Sequence, residues 1–394
     1  MSEVVNIPQL RFPEFNGGWK ESRIGKIYKD LRTGSTPSRA VKSYFKGDNP
    51  WITSGELKYN RISTTFEQIS DEAIKDTNLV LYQPGTLFIA ITGLEAPGTR
   101  GKCAINAVPS TTNQSCLAFR KVDSVDTIYM FYWYLKYGKP LYFKYAQGTK
   151  QQSFNNKIVE KFQIFLPNKP EQQKIAAFLS AVDNKIEQLS KKQELLGEYK
   201  KGLMQQIFSQ AIRFKADDGS DFPDWEEKKL GGVGRIRKGS QLNKSELTDT
   251  GDYPAINGGI NPSGYTDKWN TGKNTITISE GGNSCGYINF ITSKFWSGGH
   301  CYSIEELKGD VLNRFLFQYL KFNEHLIMRL RVGSGLPNIQ KGEINNFKVN
   351  LPSLEEQTKI ANLLSSIDSK IEQVGKQLRE SKQFKKALLQ QMFV

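Results

Sequence analysis

Apolar residues recur in alternating steps of four and three along two long stretches of the chain. The first stretch places Ile175, Leu179, Val182, Ile186, Leu189, Gln193, Leu196, Lys200, Leu203 and Ile207 on one stripe. The second places Ile360, Leu364, Ile367, Ile371, Val374, Leu378, Ser381, Lys385, Leu388 and Met392 on the same steps. This is a heptad seam, apolar at most positions, and it predicts two long amphipathic helices. Asn168 and Ser353 stand where an N-cap belongs, and Glu171 and Glu356 follow three residues on, as in a capping box. Pro170 suits a first helical turn. At 1.5 Å per residue each helix is roughly 60 Å long. A lone helix of that length leaves its seam wet, so the two predict a pair, with Ile175, Leu179, Val182, Ile186 and Leu189 on one side and Ile360, Leu364, Ile367, Ile371 and Val374 on the other. Parallel and antiparallel pairings are both open at this point. An antiparallel pair places the regions before each helix at opposite ends of a rod, related by an approximate two-fold axis. The polar seam positions Gln193, Lys200, Ser381 and Lys385 are candidates for setting register.

The segments that precede the helices show other patterns. "TLFIAITG" and "NTITISEGG" read as strands, and "DTIYMFYWYLKYG" and "LNRFLFQYLKFN" as helices. "FQIFLP" and "FKVNLP" read as a last short strand before each long helix, and Gly, Asn and Ser punctuate the intervals. The two halves are copies. "KIAAFLSAVDNKIEQL" from Lys174 returns as "KIANLLSSIDSKIEQV" from Lys359, and the offset of 185 residues holds from Leu166 and Leu351 to Phe208 and Phe393. About half of the helical positions are identical, more than chance spacing gives. The same offset superposes Cys116 on Cys301, Tyr134-Leu135-Lys136 on Tyr319-Leu320-Lys321, and Phe162 on Phe347. With small gaps, "LRFPEFNGGW" echoes "IRFKADDGSDFPDW", "DLRTGSTPS" echoes "RIRKGSQLN", and "PWITSG" echoes "PAINGG". The chain therefore reads as two tandem units, roughly 1–209 and 210–394. The expected boundaries are a mixed domain over 1–165, a helix over 166–209, a second mixed domain over 210–350 and a second helix over 351–394.

Composition narrows the class. The chain has 394 residues, 38% of them hydrophobic, enough for two or three domains with their own cores. Mean hydropathy is −0.50, and no apolar run is long enough to cross a bilayer. "MSEVVNIPQLRF" lacks the basic start and apolar middle of a signal peptide, so a cytoplasmic location is expected. Cys103, Cys116, Cys285 and Cys301 form no C-x-x-C pair, and only His300 and His325 offer imidazoles, which points to small buried thiols rather than a zinc site. The net charge of +14 fits a nucleic-acid binder, whose Lys and Arg displace counterions from phosphates, and equally fits a basic soluble surface.

Catalytic parts are hard to find. "GLEAPGT" from Gly93 has phosphate-loop glycine spacing without the following Lys-Ser/Thr. "DNPW" at Asp48 to Trp51 is one proline short of an adenine-methyltransferase motif and has no cofactor loop beside it. "ELK" at Glu56 and again at Glu306 matches only the tail of a nuclease motif. Two histidines supply no nucleophile–base pair. A binding protein without a reaction of its own is the economical reading.

Two units of a mixed domain and a helix opening "LP…EQ…KIA…L…ID.KIEQ" resemble the specificity subunit of a Type I restriction–modification enzyme. The resemblance spans essentially the whole chain. It is carried by Leu166-Pro167, Glu171-Gln172, Lys174-Ile175-Ala176, Asp183 and Lys185-Ile186-Glu187, and by Leu351-Pro352, Glu356-Gln357, Lys359-Ile360-Ala361, Asp368 and Lys370-Ile371-Glu372. "TGSTPSRAVKSYFKGDNPWIT" from Thr33 also looks like the start of a target recognition domain. The resemblance implies an α+β fold: two tandem α/β-mixed target recognition domains, each followed by a long α-helix, the helices pairing as an antiparallel coiled coil with pseudo-two-fold symmetry. It implies a bipartite, asymmetric double-stranded DNA site, one half read by each domain, with the helices fixing the unread spacer. It implies partners: methyltransferase (modification) subunits, two of them, and restriction/translocase subunits. S-adenosylmethionine, ATP and Mg belong on those partners, with no cofactor or metal on this chain and no membrane.

Base edges are read by Arg or Lys at guanine, Asn or Gln at adenine, and hydroxyls at either. In the first domain the candidates are Thr33, Ser35, Thr36, Ser38 and Arg39, then Thr53 and Ser54, Thr92 and Arg100, and Lys150, Gln151 and Gln152. In the second they are Lys238, Ser240, Gln241 and Lys244, then Asn257, Ser279 and Asn283, and Ser334, Asn338 and Gln340. Ordinary solvated turns favour the same residue types. The aromatics Tyr132, Trp133, Tyr134, Phe315 and Phe317 fall in helical stretches and read as core. Two alternatives stand beside the specificity-subunit reading: a free-standing sequence-specific DNA-binding regulator, and a coiled-coil assembly adaptor whose charge is incidental.

Overall fold

The computed structural model describes residues 6–93, 98–148, 152–333 and 335–394. It divides into two compact units. Unit 1 is Met1–Leu189 together with Gln377–Val394, and unit 2 is Ser190–Lys376. The boundary therefore cuts through both long helices, Lys169–Phe208 and Leu354–Gln391, rather than falling before or after them.

Unit 1 is built on a five-stranded sheet. Its spatial order is Arg32–Thr33, Cys116–Phe119, Leu87–Ala90, Cys103–Asn106 and Arg61–Ile62. A second, three-stranded sheet holds Gln68–Ile69, Asn49–Ile52 and Thr111–Thr112, and Lys20–Arg23 pairs antiparallel with Gln163–Leu166. Three strands of the large sheet are buried at every position, so they read as unbroken apolar runs rather than as alternation. The helix Thr127–Tyr145 lies on this sheet and fills the core with Tyr129, Met130, Tyr132, Trp133 and Tyr134. Asp126 caps it, accepting from the N–H groups of Ile128 and Tyr129 at 2.9 Å.

Unit 2 repeats the plan. Its four-stranded sheet runs Arg235–Lys238, Cys301–Glu305, Thr275–Ser279 and Ile288–Ile291. Gly264–Thr266, Tyr253–Ile256 and Trp296–Ser297 form the three-stranded sheet, Glu226–Lys229 pairs with Lys348–Leu351, and the helix is Asn313–Phe322. Tyr132, Trp133, Tyr134 and Phe315 are core, as their spacing indicates, while Phe317 is partly buried against Phe290 and Phe143 is exposed; Phe315 and Tyr319 pack with Phe208 and Trp225.

Each unit contains the start of one long helix and the end of the other, which makes the pairing antiparallel. In unit 1, Ile175 and Leu179 from the first helix share a core with Leu388, Met392 and Phe393 from the second. In unit 2, Ile360 and Leu364 share a core with Met204 and Ile207. Both cores also include the sheets, so these seam positions bury against the globular fold as well as against a partner helix. Val182 packs against the core of unit 1, and Leu189, Ile367 and Val374 are buried nearer the boundary, while Ile186 and Ile371 are half-buried. Of the four polar seam positions, the two lysines have partners. Lys385 Nζ lies 2.6 Å from Asp183 in unit 1, and Lys200 Nζ lies 2.7 Å from Asp368 in unit 2. These are the same two positions 185 residues apart with the helices exchanged.

The helix starts differ from expectation in one respect. Asn168 and Ser353 do cap, accepting from the N–H groups of Glu171 and Glu356. The glutamates do not reach back to complete a capping box. Glu171 is fully buried and takes a bidentate contact from Arg11, 2.7 Å at both oxygens, with Trp19 Nε1 at 3.3 Å. Glu356 is held in the same way by Arg213 and Trp225. A buried carboxylate needs a cation more than an exposed N–H needs a cap. Gln172 and Gln357 bond the first turn to the globular part, accepting from Asp126 N and Leu312 N.

Candidate nucleic-acid interface

The hydroxyl-rich and amide-rich candidates lie at strand ends, as Thr33, Lys238 and Ser279 do, and on loops within and between the sheets of each unit. In unit 2 they converge. Gly239 carries the chain so close to Gly298 O that a Cβ there would stand 2.2 Å away, which only glycine permits. Ser240 N then donates to Ser297 O, and Trp296 Nε1 donates to Ser240 O at 2.8 Å. Asn257 Oδ1 accepts from His300 N at 3.1 Å. Ser279 is buried, and its hydroxyl donates to Gly258 O, joining the strand end to the Asn257 loop. Asn283 is exposed in a single turn of 3-10 helix, next to the bridge between Gly281 and Asn338. Lys238, Ser240, Gln241, Asn257, Ser279 and Asn338 thus gather around the 280–300 segments, with Asn283 exposed on the adjoining turn. Lys244 begins the short helix Lys244–Glu246, and Gln340 precedes the helix Lys341–Asn346; both are exposed beside that cluster rather than tied into it.

Unit 1 uses the same framework with other side chains. Gly34 stands against Thr112 O as Gly239 stands against Ser297 O, and Ser35 N donates to Thr112 O; a tryptophan again donates to the serine carbonyl, Trp51 Nε1 to Ser35 O at 3.1 Å, but from Asn49–Ile52, the strand that corresponds to Tyr253–Ile256 and not to Trp296–Ser297. Thr36 Oγ1 donates to Gln114 at 2.6 Å, and Thr33 ends the edge strand. Ser38 is exposed on the following turn. Arg39 is bidentate to Glu67 with its guanidinium 4.2 Å from the Phe45 ring, an arrangement that anchors the loop. Thr53 makes a capping box with Glu56 ahead of Ser54. Thr92 follows Ile91, whose N–H donates to Ser115 O. Arg100 lies 5.2 Å over the Tyr142 ring, and the Tyr142 hydroxyl bonds Gln152, so these two candidates meet at one tyrosine. Lys150, Gln151 and Ser334 lie outside the described residues, as does the middle of the Gly93–Thr99 segment.

Three residues of the unit 2 cluster were not legible from residue type. Glu280 bonds Lys238 Nζ at 2.6 Å and Tyr302 OH at 3.1 Å, and His300 Nδ1 lies 3.3 Å from its other oxygen. Glu280 sits in a stretch that reads as strand. The one pointer toward His300 and Tyr302 was their place on either side of Cys301, an anchor of the repeat. Among the described residues no group of three or more His, Cys, Asp or Glu side chains is placed to hold a metal, and no helix is long and apolar enough to cross a membrane.

Two copies of one loop framework, each with its own polar side chains and each packed on paired helix ends, define a tandem recognition protein. Comparison with known proteins gives the family. A model of the Type I restriction modification DNA specificity domain matches the chain twice, over residues 16–196 and 223–380. The MjaIX specificity subunit of a Type I restriction enzyme from Methanocaldococcus jannaschii is 26% identical over 94% of this chain and 94% of its own length. A putative Type I specificity subunit of Mycoplasma pneumoniae is 31% identical over 43% of this chain and 46% of its own. In fold, the S subunit of a Type I restriction–modification system from M. genitalium superposes with a TM-score of 0.69 at 20% identity, covering 98% of this chain and 99% of that one. The chain belongs to the Type I restriction–modification DNA specificity family. It is a specificity subunit, the recognition component of that class of enzyme and not its catalytic one.

Proposed function

We propose that each unit reads one half of a bipartite, asymmetric double-stranded DNA site and that the paired helices fix the length of the unread spacer. The observation that carries this is the contrast between framework and loops. Ser35 N donates to Thr112 O and Ser240 N donates to Ser297 O in the same way, each after a glycine that stands against that carbonyl, while the side chains presented beside them differ. A homodimer imposes its own symmetry on its site. A chain that duplicates its reader keeps the shared geometry and frees each half to read a different sequence. Phosphate contacts from a chain of charge +14 position the duplex, and base contacts specify it. Methyltransferase subunits dock on the helix pair, restriction subunits join them, and S-adenosylmethionine, ATP and Mg act on those partners. A solved structure concerned with complex assembly of the Type I system shares the fold with a TM-score of 0.54, which supports a role as assembly scaffold.

The test is a genome-wide map of N6-methyladenine in the native organism with and without this gene. Loss of methylation at a single two-part, asymmetric motif is the expected result. An unchanged map, together with no salt-sensitive binding of the purified chain to duplex DNA, overturns the reading.

A further inference from the structure

The two units provide an internal control for each buried charge. In unit 2 the N–H of Glu280 donates to His300 O at 2.9 Å, and its carbonyl accepts from Ile339 N at 2.8 Å. In unit 1 the residue with those two backbone bonds is Ile91, to Ser115 O and from Phe154 N. Ile91 is 3% exposed and belongs to the core. The framework therefore closes with a hydrocarbon at this position and does not need a charge. The side chains around Glu280 change with it. Lys238 and Tyr302 face each other across strands where unit 1 pairs Thr33 with Leu117, and His300 stands where unit 1 has Ser115. Unit 2 exchanges Ile91, Thr33, Leu117 and Ser115 of unit 1 for Glu280, Lys238, Tyr302 and His300.

That exchange costs desolvation, and a buried ion pair returns little stability relative to well-packed apolar groups. The Glu280 side chain is 12% exposed. Burial opposes its charged form, but the contacts from Lys238 and Tyr302 outweigh burial and hold the carboxyl below its ordinary range, so the group is ionised at neutral pH and only accepts hydrogen bonds. Its Oε1 is used by Lys238 and Tyr302. Its Oε2 receives no hydrogen bond. The neighbour of this buried Oε2 is the His300 ring, at ion-pair distance and 64% exposed, and a ligand reaches the oxygen by displacing that ring. The carboxylate thus keeps one oxygen without a hydrogen-bond donor, covered by the exposed His300 ring and beside a half-exposed ammonium.

We propose that Glu280 is a specificity-determining residue of unit 2. Its Oε2 accepts from the exocyclic amino group of a base in the second half-site, adenine N6 or cytosine N4, while Lys238 offers the adjacent donor. This assignment rests on the reading of unit 2 as a DNA reader. Donor beside acceptor matches adenine, which shows N7 and N6–H₂ in the major groove, and matches a C·G pair, which shows the cytosine amine beside guanine O6. Thymine O4 or guanine O6 placed against an ionised carboxylate leaves two acceptors facing each other out of water, and this repulsion supplies the discrimination.

The experiment uses the full chain assembled with its methyltransferase partners. Binding is measured to duplexes carrying the mapped site and to a panel with each second-half position changed in turn. Wild type should lose binding about tenfold or more at one adenine or cytosine. It should lose as much when that base is replaced by an analogue lacking only the amino group, and the position affected shows which base it is. Glu280→Gln, which offers a donor as well as an acceptor, should cut that discrimination to a few-fold and leave every first-half position unchanged. Glu280→Ile, the residue that unit 1 already holds at this position, carries the same test if the glutamine variant folds poorly. Unchanged discrimination at every second-half position in either folded variant overturns the assignment of Glu280, as does insensitivity of wild type to removal of the amino groups. A wild-type complex that prefers no two-part site overturns the reading of the chain itself, a distinct result.

Discussion

The buried carboxylates Glu171 and Glu356 show how much one side chain decides here. Each is fully buried at a helix start and neutralised by one arginine, Arg11 in unit 1 and Arg213 in unit 2. Removing the arginine strands a charge away from water. Arg11→Ala is expected to destabilise unit 1 by about 3–5 kcal/mol, read by urea unfolding. Glu171→Gln should cost less, because the Arg11 side chain keeps some access to solvent. A loss for Arg11→Ala below about 1 kcal/mol would contradict this account of the helix start. The thiols give a second test at this scale. Burial pushes Cys116 up to about 12 and Cys301 up to about 11. Both should resist alkylation at pH 8 in the folded protein and react after denaturation, as mass spectrometry would show. Little of this was legible in the sequence. Arg11 and Arg213 were visible only as parts of the echo between "LRF" and "IRF", since nothing local says that an arginine will meet a glutamate more than a hundred residues away. Glu280 escaped for the opposite reason: its place between strand and turn is ordinary, and its meaning comes from three neighbours on other segments.

At the scale of elements, periodicity carried most of the information. The heptad steps fixed both long helices, and the final strands before them were visible from their short apolar runs. The direction of pairing was not, because a seam of Ile, Leu and Val reads the same either way. It follows from the globular cores, each of which holds the start of one helix and the end of the other, and two polar seam residues mark the register. Lys200 meets Asp368 and Lys385 meets Asp183, each aspartate also accepting from the neighbouring domain helix, Gln318 Nε2 at 2.7 Å and Tyr132 OH at 2.8 Å. These pairs are partly exposed, so a double-mutant cycle on Lys385 and Asp183 should give a coupling of about 0.5–1 kcal/mol. The charge swap Lys385→Asp with Asp183→Lys should recover most of the loss from either single change. Zero coupling would mean that the seam alone sets register. The candidate loops were legible as loops, and the strong turn formers Gly34 and Gly239 marked them. Which of their side chains face outward was not, as buried Ser279 and anchored Arg39 illustrate.

For the whole molecule, charge and helix length make the claims. If a chain of charge +14 neutralises even about four phosphates, its affinity for duplex DNA should fall roughly a hundredfold between 50 and 200 mM salt, measurable by anisotropy. If the helices set the spacer, seven residues inserted in phase into each, after Leu189 and after Val374, should lengthen it by about three base pairs, from about 10 Å of added helix at 3.4 Å per base pair, with both half-sites unchanged. A changed half-site sequence would contradict the helices' role as a ruler. The division of the chain into units has one more consequence, for synthesis. Residues up to Leu189 leave the ribosome long before Leu388, Met392 and Phe393, yet these three complete the core of unit 1. The first reader made is therefore the last to be finished. A chain that stops near residue 376 carries the whole sequence of the first mixed domain and still lacks the apolar plug that closes it, so proteases should clear it. The expected outcome is that a chain truncated there is cut by protease far faster than the full-length chain, as limited proteolysis would show.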